Sequence, residues 1–247
     1  MPYLNSLVSQ YGLATNYYAD VHPSIGNYFM LTTGQVVTLD DSFQQTVTAD
    51  NIVRQLVGAG KTWKSYAESL PAAGYTGGDA YPYLKHHNPF AYLSDVVGTQ
   101  QATNLEPFSQ FATDLASNNL PAFSYIVPNA NDDMHDCPAG MSTCTANDQA
   151  AAADAWLKTN ISPLLANAAF QQGGLLIITF DEADITDLRN GGGHVLTVIA
   201  GPAAKTGYQS STFYQHQSLL RLMLKSLGGS SFPGAAASAP DMSEFLK

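Results

Sequence analysis

Charge is what this chain has least of. Only 12% of its 247 residues are Asp, Glu, Lys or Arg, about half the ~25% usual in soluble domains. Ten are basic and twenty acidic, a formal net charge of −10. So few scattered cations cannot line a nucleic-acid groove, which excludes nucleic-acid partners. The overall field also repels anions, so an anionic substrate needs a cation or a local site to hold it. No run of ~20 apolar residues occurs, which excludes a transmembrane helix, and no signal-peptide pattern opens the chain. The chain has no P-loop and no G-x-G-x-x-G, so nucleotide-cofactor readings lose their support. The G-x-S-x-G elbow of serine esterases is missing too. Cysteine is nearly absent. Cys137 and Cys144 stand with six residues between them in a Pro/Gly/Ser/Thr loop. They form either a local disulfide, which implies an oxidising compartment, or two free thiols. No second pair is present to complete a zinc site.

What is present is apolar residues, 45% of the chain, enough for one large α/β domain with a sizeable core. Gly174 to Phe180 is a short apolar run entering Asp181-Glu182. Such a run reads as a strand buried on both faces of a parallel sheet. Ala122–Val127 and His194–Ala200 read likewise, with a short strand at Thr62–Tyr66. Helical spacing is expected over Pro2–Gly12, from Ser24 to Gly34, over Ile52–Val57 and Asn104–Asn118. It recurs over Thr145–Ala169, interrupted near Pro163, and over His216–Leu227. Residues 71–82 read as loop, and the chain from about 229 as a loose tail. Strands alternating with helices predict an α/β fold with a largely parallel central sheet flanked by helices.

Polar clusters fall at strand ends and helix starts, where ligands bind in such folds. Asp181 and Glu182 are adjacent carboxylates that repel each other unless a cation or proton is shared. Alternatively they cap a turn and face water. Ser24 opens a helix within His22-Pro23-Ser24-Ile25-Gly26-Asn27; it serves as an N-cap, or it faces a ligand in the positive end of the helix dipole. Asn27, one turn on, reaches a substrate oxygen or the same helix end. Lys85-His86-His87-Asn88 offers two adjacent histidines, of which at most one is expected to enter a site. Asn131-Asp132-Asp133-Met134-His135-Asp136 suits a metal ligand, a general acid or a solvated loop. His194 reads as a core or edge histidine and His216 as a helix cap. One serine, two histidine-bearing turns and an Asp-Glu pair together fit metal-assisted phosphoryl transfer.

These segments also carry a resemblance. Pro2–Leu7, His22–Tyr28, Thr62–Glu68, Lys85–Phe90, Asn131–Asp136, Phe180–Glu182 and Phe213–Arg221 together resemble a bacterial and fungal phosphoesterase family. That family holds acid phosphatases and phospholipase C-type enzymes, within the alkaline phosphatase superfamily. The ordered set spans nearly the whole chain and implies an alkaline-phosphatase-like three-layer sandwich. By this resemblance Ser24 is nucleophile and metal ligand, and Asp181 and Glu182 are metal ligands. His87 and His135 are the phosphate-binding and leaving-group histidines, and Asn27 binds substrate. One divalent metal ion of unspecified identity is implied. The family pattern reads Ser-x-Pro-Asn, and this chain has Gly26 at the Pro position. Family members begin with a strand ending in Glu-Asn, both side chains on the metal. This chain starts just after it. It is expected to be a single domain over 1–247, N-terminally truncated relative to the family.

The implied activity is metal-dependent hydrolysis of phosphate monoesters, with a small-molecule or lipid phosphate ester as substrate. A phospholipase C-like phosphodiesterase and a non-catalytic remnant are the alternatives. Secretion or a periplasmic location is expected.

Overall fold

A computed structural model describes residues 1–247. Its six α-helices are α1 (Pro2–Gln10), α2 (Ser24–Thr33), α3 (Ile52–Gly58), α4 (Ser109–Ala116), α5 (Ala146–Ala166) and α6 (His216–Ser226). Its strands are β1 (Gly12–Ala14), β2 (Trp63–Ala67), β3 (Leu105–Pro107), β4 (Phe123–Val127), β5 (Leu176–Thr179), β6 (Thr197–Ala200) and β7 (Gln209–Ser210). They form two sheets, ordered β3-β2-β4 and β5-β6-β1-β7. The first is wholly parallel. In the second, β1–β7 is parallel, but β1–β6 and β5–β6 are antiparallel.

Side-chain alternation builds the layers. Trp63 and Ala67 of β2, with Phe123 and Tyr125 of β4, face a core shared with α2, α3 and α6. Tyr66 and Ile126 face the opposite side, against Phe111 and Leu115 of α4 and Trp156, Ile161 and Leu164 of α5. β5 contributes to both cores, through Ile177 on one face and Leu176 on the other. The two sheets thus lie in one layer between the same helices. No ladder joins β4 to β5. β5 is therefore not the doubly buried parallel strand expected. It is half-buried along its length and pairs antiparallel with β6, because its outer edge carries no neighbour.

Other local expectations are also corrected. The helix expected from Asn104 begins at Ser109, because Leu105–Pro107 pairs with β2 as an edge strand, with Leu105 fully buried. Proline suits such an edge position. α5 runs through Pro163 to Ala166 without a break, held by buried Ile161 and Leu164 on either side. The tail is not loose. Phe245 and Met242 are fully buried, and Glu244 accepts hydrogen bonds from Tyr208 and Tyr214 at 3.0 and 2.6 Å.

Helix starts are fixed by specific donors and acceptors. Asp154 of α5 accepts from the backbone N–H groups of Tyr3 and Leu4, both at 2.9 Å, and so anchors α1. A carboxylate there satisfies orphan donors and complements the helix dipole. Thr145 and Asp148 form a reciprocal capping box at the start of α5.

Candidate active site

α2 and the loop after β5 bring Ser24 and Asp181-Glu182 together. Pro23, not Ser24, is the N-cap of α2, and no side chain caps it. The Ser24 hydroxyl is thus free to donate to Glu182 Oε1 at 3.0 Å. Ser24 is thus not the N-cap; its side chain meets Glu182 instead. Gly26 lets Val21 and Leu39 pack closely on α2: a Cβ there would lie 2.6 Å from Val21 Cγ2 and 3.2 Å from Leu39 Cδ2. The second Glu182 oxygen takes Nδ1 of His22 at 2.7 Å, while His22 Nε2 faces the Asp187 carbonyl at 3.1 Å. The loop that brings Asp187 to His22 is pressed against residues 20–21. There Gly191, with φ +106°, leaves no room for a side chain beside the Asp20 carbonyl.

Asp181 is the more perturbed acid. Burial, with the adjacent Glu182 charge, raises its pKa to about 6, although His87 and Ser24 oppose the rise. Its Oδ2 is buried with no hydrogen-bond partner. A buried acceptor without a donor is costly unless a ligand or ion meets it. The Asp181 backbone is clamped from behind. His216, fully buried at the start of α6, has Nε2 2.6 Å from the Asp181 carbonyl and Nδ1 3.0 Å from the Tyr17 hydroxyl. Burial pushes His216 down to about 4. It stays neutral, donating from Nε2 and accepting at Nδ1. It is therefore neither a simple cap nor a surface group.

His87 arrives from the 3₁₀ turn Lys85–His87. Tyr28, one turn beyond Ser24, stacks on it at 5.1 Å between centroids. His87 Nδ1 lies 2.9 Å from Asp133 Oδ2, and its Nε2 is buried without a partner. Burial works against the charged ring, but the hydrogen bond and charge of Asp133, with the charges of Asp181 and Asp41, outweigh it and raise its pKa. His135 lies beside it, 5.3 Å between ring centroids, on an exposed loop where its Nδ1 meets Asp136 at 3.0 Å. Asp181 also acts on the buried hydroxyls of Tyr28 and Tyr125, both raised chiefly by burial.

The structure therefore gathers Ser24, Asp181, Glu182 and His87, with His135 at the rim. Asn27 does not join them. It is fully buried, its oxygen accepts from the N–H groups of Asp20 and Val21, and its amide donates to the Val21 carbonyl. Its amide holds the turn before α2, so it does not face a substrate. Cys137 and Cys144 form a disulfide, with Cα atoms 5.5 Å apart.

The family model for the phosphoesterase family matches residues 1–228. The chain belongs to that family. A probable acid phosphatase of Kluyveromyces lactis is 31% identical over 230 residues, 88% of this chain and 51% of its own length. An acid phosphatase of Aspergillus fumigatus is 32% identical over 226 residues, 87% of this chain and 48% of its own. A phosphatidylinositol-3-phosphatase of Mycobacterium tuberculosis is 31% identical over 245 residues, 98% and 75% respectively. The chain thus spans about half the length of the two fungal relatives. Among solved structures, an alkaline phosphatase superfamily protein from Vibrio parahaemolyticus matches 99% of this chain and 65% of its own, with a TM-score of 0.64 at 14% identity. A phosphonate monoester hydrolase from Silicibacter pomeroyi matches with a TM-score of 0.57 at 12% identity, covering 99% and 71%. These likenesses show the α/β three-layer fold.

Within this phosphoesterase-family chain, sequence reading missed His22, Asp133, Tyr28, Tyr125 and the placement of His216. His22 and Asp133 lay inside quoted motifs but had no visible partner. Tyr28 at Ser24 plus four was a signal of a shared helix face. Nothing local marked Tyr125.

Proposed function

We propose that this chain hydrolyses phosphate monoesters through Ser24, with one divalent cation. The observation that carries the reading is the Ser24–Glu182 hydrogen bond beside the partnerless buried Oδ2 of Asp181. Ser24 Oγ, Asp181 and Glu182 offer hard oxygen donors of net negative charge, which fits a cation such as Mg²⁺, Mn²⁺ or Ca²⁺. When bound, such an ion would ease deprotonation of the serine and offset the charge of the phosphate.

The chain's own residues do the rest. Ser24 Oγ attacks phosphorus, its proton passing to Glu182, which already accepts it in a hydrogen bond. The Oγ–P bond forms as the P–O bond to the leaving alcohol breaks. The leaving oxygen takes a proton from His87 or His135, an acid role that Asp133 favours in His87 by raising its pKa. His87 Nε2–H, when charged, also faces the phosphate oxygens. Water then attacks the phosphoserine, giving phosphate and restoring the Ser24 hydroxyl. His216 and His22 are positioning residues that hold Asp181 and Glu182.

Leu39, Ile185 and Leu188 are exposed apolar residues one to three positions in sequence from Asp41, Glu182 and Asp187, and such side chains suit an ester with an apolar or lipid tail. The disulfide and the low charge support a secreted or periplasmic setting. The test is rapid acid quench with ³²P-labelled substrate. The reading expects acid-stable phosphoserine mapped to Ser24. Label on a histidine, or none during steady turnover, would sink it.

A further inference from the structure

His86, His87 and His135 converge so that one ring nitrogen from each lies within 4.8 Å of the others. Two of the three rings, His86 and His87, are buried, and His86 Nδ1 and His87 Nε2 have no hydrogen-bond partner. Burying a polar nitrogen without a partner costs free energy, so two on rings whose centroids are 4.5 Å apart call for an occupant. Two of the rings are backed by carboxylates. Asp133 stands 2.9 Å from His87 Nδ1 and Asp136 stands 3.0 Å from His135 Nδ1, whereas Asp79, 3.9 Å from His86 Nδ1, is too far to hydrogen-bond it. A carboxylate on one ring nitrogen fixes the tautomer and leaves the other as a basic donor, the usual arrangement behind a metal-bound histidine.

We propose that His86, His87 and His135 form a nitrogen-donor site for a divalent cation of the zinc, cobalt or nickel class. It is separate from the oxygen-donor set of Ser24, Asp181 and Glu182. The donor chemistry sets the selectivity. Imidazole nitrogens favour Zn²⁺, Co²⁺ and Ni²⁺, whereas carboxylate and hydroxyl oxygens favour Mg²⁺, Mn²⁺ and Ca²⁺. A tetrahedral zinc with bonds of about 2.0–2.1 Å sets its ligands about 3.3 Å apart, so the three rings must close slightly. His135, with its side chain 46% exposed on a loop, has the freedom to do so.

Occupancy has a functional consequence, which rests on the reading above. A cation here takes the nitrogens of His87 and His135 that would carry the leaving-group proton. Zinc-class ions at this site therefore inhibit the hydrolysis that oxygen-seeking ions support.

The test uses the full metal-free chain titrated with Co²⁺, followed by its ligand-field absorption and by equilibrium dialysis. Asp181→Asn should retain the histidine-type Co²⁺ spectrum. His86→Gln and His135→Gln should each weaken that binding by at least about 100-fold, beyond the 10–100-fold of a mere supporting residue. His86→Gln should keep its turnover with Mg²⁺ but lose inhibition by Zn²⁺. Equal Co²⁺ binding in wild type, His86→Gln and His135→Gln overturns the proposal, as does no Co²⁺ binding by Asp181→Asn. Loss of inorganic phosphate binding in the two histidine variants, with Co²⁺ unaffected, would instead make the trio an anion pocket. Absence of turnover in wild type with the Co²⁺ results as expected would sink the phosphatase reading and leave the site standing.

Discussion

At the scale of single residues, Asp133 and His87 show how one contact sets a protonation state. Asp133 is the charge and hydrogen-bond partner that raises the pKa of the buried ring against desolvation. Asp133→Asn keeps the shape and removes the charge. The pKa of His87 then falls, so the acid form is lost at lower pH. The alkaline limb of the kcat profile should move toward acid, and kcat at neutral pH should drop about 10- to 100-fold. An unmoved limb would show that His87 is not the acid. That Ser24, Asp181, Glu182 and His87 come together was legible in the chain because helix starts and strand ends converge at one end of such folds. His22 and His216 were not, because their partners Glu182 and Tyr17 lie 160 and 199 residues away in sequence. Asn27 misled for the opposite reason. Its partners are only six and seven residues distant, and a local turn claimed an amide that the motif assigned to substrate.

Among the elements, β2 and α4 are joined by a polar cluster in an otherwise apolar layer. Asp114 of α4 accepts from Lys64 Nζ at 2.7 Å and from the Tyr66 hydroxyl at 2.6 Å, with its own side chain 4% exposed. Burial alone would raise this carboxyl. Hydrogen bonds from Lys64, Tyr66 and Gln110 outweigh it and lower the pKa. Its stabilisation is thus present above the ordinary carboxylate range and lost as pH falls through the lowered value. Asp114→Ala leaves Lys64 and Tyr66 without their partner and should cost about 3–5 kcal/mol in urea unfolding at pH 7. A loss below about 1 kcal/mol would mean that water replaces the carboxylate. Element types followed from periodicity, but pairing did not. Leu105–Pro107 has too few residues to announce a strand, and only its bonds to β2 make it one. Likewise nothing in the apolar run before Asp181 distinguishes a central parallel strand from an edge strand paired antiparallel.

For the molecule as a whole, the site lies where two sheets share one layer without a common ladder, and loops from both converge on it. Acids dominate this chain, and some are held under strain. Burial raises Asp20 to about 6 from an ordinary 3.8, although the backbone N–H of His216 opposes the rise. The folded state therefore holds a proton that the unfolded chain gives up between those values. That contribution is full below about pH 4 and is lost as pH rises through about 6. Asp20→Asn should flatten the decline of unfolding free energy between pH 4 and 7, and an unchanged slope would place the buried charge elsewhere. The central claim is tested most directly by p-nitrophenyl phosphate turnover in the full chain. It is measured from acid to alkaline pH, with and without Mg²⁺, Mn²⁺ or Ca²⁺, beside Ser24→Ala. The account predicts cation-dependent turnover that falls on the order of 10³-fold or more in Ser24→Ala. Turnover that survives in Ser24→Ala, or that proceeds equally after complete removal of divalent cations, would contradict it.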